Sequence, residues 1–211
     1  MVSMNTTLLA DKMIAQANNK ETKRFFIAIA GPPASGKSTL SEKLCSIINQ
    51  KTSEGYCEVV PMDGFHFDNS YLDELQLRHR KGAENTFDSE GFIHMLKALY
   101  SSSDEICIPL FDRAQDATIQ EAKSIQANTK VLIIEGNYLL LNLKPWTAGQ
   151  DFYDYTIFIR PKFDTLKERL IDRWKANGYD LKGAKHRALS NDIPNAEVVL
   201  KQSVKPDLLI E

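Results

Sequence analysis

Short apolar runs punctuate the chain, and apolar positions at helical spacing fill most of the gaps between them. The runs Phe25–Ala30, Tyr56–Val60, Ile106–Phe111, Val131–Glu135, Tyr155–Arg160 and Asp207–Ile210 predict strands. The first, Phe-Phe-Ile-Ala-Ile-Ala, is apolar throughout, as a strand covered on both faces must be. Helices are predicted over about Thr6–Asn18, Lys37–Gln50, Ser89–Tyr100, Phe163–Ala176 and Asn195–Ser203. In the second of these Leu40, Leu44, Ile47 and Ile48 fall on one face, and in the first Leu8, Leu9, Met13 and Ile14 suggest an amphipathic helix packed on the domain. Asp88 suits the N-cap of the third helix, and Gly178 the stop after the fourth. Strands alternating with helices predict an α/β fold with a mostly parallel central sheet flanked by helices. Two polar stretches, Phe65–Phe87 and Asn177–Pro194, break the pattern and are expected to be functional loops or a lid.

Composition narrows this picture. A chain of 211 residues fits one domain over 1–211, with a small helical lid at about 163–194. A net charge of −2 gives no basic excess, so no nucleic-acid partner is expected. Cys45, Cys57 and Cys107 are scattered without a CxxC pair, which argues against a disulfide framework or zinc site and predicts small buried apolar residues. No apolar stretch approaches the ~18 residues that span a membrane. The N-terminus lacks the basic-then-apolar order of a signal peptide, so a cytoplasmic location without a membrane partner is expected. The sequence carries no sign of oligomeric state.

The chemistry begins directly after the first strand. Gly31-Pro32-Pro33-Ala34-Ser35-Gly36-Lys37-Ser38 is G-x-x-x-x-G-K-S, the Walker A pattern, between a predicted buried strand and an amphipathic helix. Inward-pointing backbone N–H groups from Gly31 to Thr39 can cradle a phosphate tail, with the helix N-terminus aimed at the same anion. Lys37 can reach the terminal phosphates, and the Ser38 hydroxyl can ligate Mg²⁺. Mg·ATP is therefore the expected ligand; the N-K-x-D motif by which GTPases read guanine is absent. In an open parallel sheet ligands sit beyond the carboxyl ends of strands, where three loops carry acids. Asp63 follows the second strand and is the candidate to orient a hydroxyl and take its proton, with Gly64 expected to leave room for a ligand. Asp112-Arg113 follows the third. Glu135 ends the run Val-Leu-Ile-Ile-Glu, the Walker B shape, and is a candidate metal-shell carboxylate.

Walker A, Met62-Asp63-Gly64-Phe65, Arg80-Lys81-Gly82 with Phe87-Asp88, Pro109-Leu110-Phe111-Asp112 and Ile134-Glu135-Gly136-Asn137-Tyr138 occur in one order. That order resembles the uridine kinase / phosphoribulokinase / bacterial pantothenate kinase family of P-loop kinases, from about Phe25 to Ile210. The Asp-Gly-Phe triplet looks more like the pantothenate kinase branch. The resemblance implies a P-loop NTPase fold, with Asp63 as catalytic base and Glu135 in the metal–water shell. It also implies Arg169 and Arg173 as lid arginines that clamp phosphates alongside Lys37. These two lie four residues apart on a predicted helix and so share a face. Arg80, Lys81, His66 and Arg113 are candidates for binding the acceptor. Asn195 and Pro206-Asp207 match positions near the nucleotide base, whereas the Lys182, Lys185, His186 and Arg187 cluster reads as solvated surface. The expected activity is transfer of the ATP γ-phosphoryl group to a hydroxyl of a small metabolite: a nucleoside, a sugar or a pantothenate-like alcohol. The alternative is a regulatory P-loop protein that binds or hydrolyses nucleotide without such transfer.

Overall fold

Five parallel strands form the centre of the computed structural model, which describes residues 5–21, 24–102 and 104–211. They are β1 (Phe25–Ala30), β2 (Cys57–Pro61), β5 (Val131–Gly136), β6 (Tyr155–Ile159) and β7 (Leu208–Ile210), in the order β2-β5-β1-β6-β7. The strand that precedes the phosphate loop is thus central. Its Ile29 pairs with Glu135 on one side and with Ile157 on the other.

Period-two alternation explains why β1 is apolar without interruption. Phe26, Ala28 and Ala30 enter one core with Leu132, Ile134 and Phe158, while Phe25, Ile27 and Ile29 enter the other with Val131, Ile133 and Ile157. Helices α1 (Thr6–Asn19) and α2 (Lys37–Lys51) cover the second face through Leu9, Met13, Leu44 and Ile48. On α1 the buried stripe is Leu9, Ala10, Met13 and Ala17, and the expected core residue Leu8 is 65% exposed. Helix α4 (Ser89–Ser101) covers the first face with Phe92, Met95, Leu96 and Leu99, its N-terminus capped by the Asp88 carboxylate accepting from the Gly91 N–H at 2.9 Å.

One predicted strand lies elsewhere than expected. β3 (Ile106–Asp112) pairs antiparallel with β4 (Ala117–Ile125) in a separate hairpin and does not join the parallel sheet. The two polar stretches are more regular than their composition predicts. The first holds a 3-10 turn at Met62–Phe65, helix α3 (Asn69–Glu74) and 3-10 turns at Arg78–Arg80 and Glu84–Thr86. Beyond α5 (Phe163–Ala176) the second holds α6 (Leu181–Arg187) and a π turn at Ala188–Asp192, which runs into α7 (Ile193–Gln202). Leu166, Leu170, Ala188, Ile193 and Ala196 give this helical region a small core of its own.

The cysteines only partly match expectation. Cys57 is buried and Cys45 half-buried against the Cys57 carbonyl, but Cys107 is exposed on the hairpin. No helix among the described residues is long and apolar enough to cross a membrane.

Candidate functional site

The carboxyl ends of β1, β2 and β5 open into a cleft of about 1740 Å³. Its floor is the turn from β1 into α2. Gly36, at φ +98°, takes the left-handed conformation that lets the chain reverse into the helix, and a side chain there would be strained. No side chain caps the N-terminus of α2, so its first amides are free to face an anion. Pro33, Ala34, Ser35, Gly36, Lys37, Ser38 and Thr39 all line the cleft. Gly31 and Pro32 lie beneath it, buried, and the Pro32 carbonyl accepts from Lys37 Nζ at 3.0 Å.

Lys37 and Glu135 form the electrostatic centre. Lys37 is 8% exposed, and burial pushes its ammonium below the usual lysine range against the pull of the Glu135 and Asp63 carboxylates. Burial raises the Glu135 carboxyl, with Lys37 and the Ser38 hydrogen bond opposing and the Asp63 charge adding to the rise. Ser38 Oγ donates to Glu135 Oε1 at 3.3 Å, which places the two candidate metal-site oxygens side by side.

Asp63 stands across the cleft, at the turn that ends β2. Its Oδ2 accepts from Arg113 Nη2 at 2.9 Å, an ion pair in which the Arg113 side chain is 72% exposed and Asp63 only 27%. The expectation that Gly64 leaves room for a ligand is corrected: the space beside it is filled by the backbone of β3. A Cβ on Gly64 would meet the Pro109 carbonyl oxygen at 2.2 Å. The His66 ring packs against Phe87 and Phe111, with centroids 4.0 and 4.6 Å away, and its Nδ1 is 2.8 Å from the Asp63 carbonyl.

Lys81 reaches the cleft and is held at 2.8 Å by Asp116 and at 2.7 Å by Asn69 Oδ1. Arg80 points elsewhere. It donates to Asn195 Oδ1 at 3.1 Å and to the Ser190 carbonyl at 3.4 Å, and is not among the residues that line the cleft. Asn195 lines the cleft while it accepts from Arg80 and donates to Asn191, and the Asp207 carboxylate accepts from the Thr156 N–H and hydroxyl at 2.8 and 2.7 Å.

Arg169 and Arg173 both line the cleft from α5, the first donating to the Ala34 carbonyl at 3.4 Å. Arg173 is held at 3.2 Å by Asp192, a carboxylate 8% exposed that also accepts from Trp174 Nε1 at 2.5 Å. Arg187 stacks on Trp174 at 4.6 Å and joins the cleft lining, so it departs from the solvated reading of its cluster; Lys182, Lys185 and His186 are exposed. Asp192 and Trp174 carried no sequence signal, because their meaning lies in contacts across the π turn. Asn191 extends the linkage, donating to the Lys81 carbonyl at 2.9 Å.

The profile of the phosphoribulokinase / uridine kinase family matches residues 26–211. The chain belongs to this family. Within it, a candidate uridine kinase of Schizosaccharomyces pombe is 32% identical over 199 residues, covering 91% of this chain and 85% of that protein. A pantothenate kinase of Mycolicibacterium vanbaalenii is 27% identical over 159 residues, 75% of this chain and 51% of that one. Among solved structures, a candidate fructose transport system kinase from Silicibacter sp. TM1040 superposes with a TM-score of 0.91 at 36% identity, covering 99% of this chain and 100% of that one. The P-loop kinase architecture and the family expected from the ordered motifs therefore hold.

Proposed function

We propose that this family member is an ATP-dependent small-molecule kinase that transfers the γ-phosphoryl group to a hydroxyl of a small metabolite. The observation that carries the reading is convergence. Lys37, Ser38 and Glu135 face Asp63 across one cleft, and Arg169 and Arg173 line its helical side. The loop suits a phosphate chain: Ser35 Oγ is buried without a hydrogen-bond partner among the described residues, and a Cβ on Gly36 would meet nothing within 4 Å.

In this reading residues Gly31 to Thr39 hold the phosphates and Lys37 releases the Pro32 carbonyl to bind them. An anion beside Lys37 favours its ammonium form and offsets the burial that opposes it. Ser38 and Glu135 would hold Mg²⁺, whose charge would offset that building on the transferring phosphoryl group. Asp63 orients the acceptor hydroxyl and takes its proton as the new O–P bond forms and the bond to the leaving ADP oxygen breaks. Arg169 and Arg173 bind phosphate oxygens in their planar forks. Lys81, Arg113 and His66 face the acceptor, while Arg80 ties the acceptor loop to the lid at 163–194.

The experiment is ADP release with Mg·ATP across a panel of nucleosides, sugars and pantothenate-like alcohols. Acceptor-stimulated turnover supports the reading; its absence across the panel overturns it. Asp63→Asn is expected to keep ATP affinity and lose at least about 10²-fold in turnover, the scale of a lost general base. Near wild-type turnover in that variant would remove Asp63 from the role.

A further inference from the structure

Two consecutive residues of the π turn hold parts of two different ends of the cleft. Asp192 pairs with Arg173 of α5 at 3.2 Å, and Asn191 Nδ2 donates to the Lys81 carbonyl at 2.9 Å. Both are buried, Asn191 2% and Asp192 6% exposed, so neither contact is made by a side chain free to move through solvent. The Asn191 amide is oriented from its other end, where its Oδ1 accepts from Asn195 Nδ2 at 3.4 Å and leaves the N–H groups to face Lys81. A π turn is a rare piece of helix that recurs at functional sites.

Each partner has a second engagement. The Arg173 guanidinium gives one nitrogen to Asp192 and lines the cleft together with Lys37. A planar fork held at one edge keeps its other edge for phosphate oxygens. At the far end the Lys81-Gly82 backbone is gripped from two directions. The Lys81 carbonyl is held by Asn191 of the lid, and the Gly82 carbonyl accepts from Tyr138 Oη at 2.7 Å, in the loop that follows Glu135. Lys81 Nζ reaches the cleft from between these two grips.

We infer that Asn191 is a positioning residue that couples the two ends of the cleft: phosphates drawn onto Arg173 fix Asp192, and Asn191, its neighbour in the chain, passes that constraint to the Lys81 backbone. This rests on the kinase reading, in which the nucleotide phosphates meet Arg173 and the acceptor meets Lys81. Binding of nucleotide then stiffens residues 77–87, which lie on the acceptor side. Coupling of binding sites is reciprocal, so an acceptor that orders Lys81 tightens the nucleotide by the same factor. An empty acceptor side leaves the phosphate clamp looser, and the full constellation assembles only with both ligands in place.

The test is hydrogen–deuterium exchange of the full chain, read in the peptides that cover 77–87, without nucleotide and with saturating Mg·AMP-PNP. Nucleotide is expected to slow exchange there at least about fivefold, the lower end of ordinary coupling between sites. Asn191→Ala should bring the ratio of the two rates below about twofold. Arg173→Gln, which keeps a donor for Asp192 but has no fork for phosphate, should do the same at saturating nucleotide. A ratio near one in the unsubstituted chain overturns the inference, and so does a ratio that survives either substitution. An Asn191 that only supports the fold would speed exchange equally with and without nucleotide, leaving the ratio intact, and that result too overturns it. The unsubstituted chain and Arg173→Gln decide even if Asn191→Ala fails to fold. Slowing by nucleotide without ADP release on any acceptor removes the kinase reading and leaves the coupling standing. ADP release with a ratio near one does the reverse.

Discussion

A methyl group on Gly64 would press on the carbonyl of Pro109, which belongs to the backbone of β3 and cannot swing aside. Gly64→Ala is therefore expected to cost about 1–3 kcal/mol, the usual scale of overpacking. It should also displace the neighbouring Asp63, so urea unfolding and turnover should fall together. His66 makes a prediction of the opposite kind, about pH. Its folded pKa lies below the value near 6.5 of an unfolded histidine, so at falling pH the unfolded chain takes up a proton that the folded chain refuses. Its contribution is thus a loss of stability as pH drops below about 6.5. In urea melts between pH 7.5 and 5.5 the acid-side decline should be shallower for His66→Phe than for the unsubstituted chain. Residues of this kind were half legible. The motif around Asp63 is contiguous and could be read directly. What encloses His66 comes from Phe87 and Phe111, brought in by separate elements, and no local pattern announces that.

The lid shows how an element carries information that its side chains alone do not. Asp192, from the π turn, holds Arg173 of α5 and Trp174 beside it, while Asn191 of the same turn holds the Lys81 carbonyl on the acceptor side. Asp192→Asn keeps an acceptor for the Trp174 N–H but gives up the charge facing Arg173. It is expected to cost about 1–3 kcal/mol, the scale of a hydrogen bond to a charged group. Turnover should fall by roughly tenfold or more as Arg173 loses its orientation. Asp172→Asn on the same helix is the control: its pair with Lys175 is exposed and should matter by less than about 0.5 kcal/mol. The apolar spacing of α5 and the pairing of Arg169 with Arg173 were readable because a helix has one period. The π turn was not, because it breaks that period within a polar stretch. Nor was the β3–β4 hairpin, whose second strand, Ala-Thr-Ile-Gln-Glu-Ala-Lys-Ser-Ile, is largely exposed and lacks a clean alternation.

For the molecule as a whole, the cleft is lined jointly by the phosphate loop, the β2 turn, the hairpin and the lid. A ligand that bridges them stabilises the folded state by mass action. At a concentration 100 times its Kd, Mg·AMP-PNP should add about 2.7 kcal/mol. For a chain of this size that corresponds to a rise of roughly 5–10 °C in Tm. Differential scanning fluorimetry should show this shift, and Lys37→Ala should nearly abolish it. The sheet itself was legible as a set of apolar strands, but the strand order was not, since it depends on which strands meet across long stretches of chain.

That order also bears on how the protein is made. β1 finds its sheet partners only in β5 and β6, the first joined at Phe25–Val131 and the second at Ile27–Tyr155. A nascent chain that has emerged only as far as α4 therefore displays Phe-Phe-Ile-Ala-Ile-Ala with both hydrogen-bonding edges bare. Such an edge is a template for pairing with other chains. Translation that stops before β6 would yield an aggregation-prone fragment in place of a weak nucleotide binder. Chaperone cover during synthesis would protect this strand until β5 and β6 have emerged.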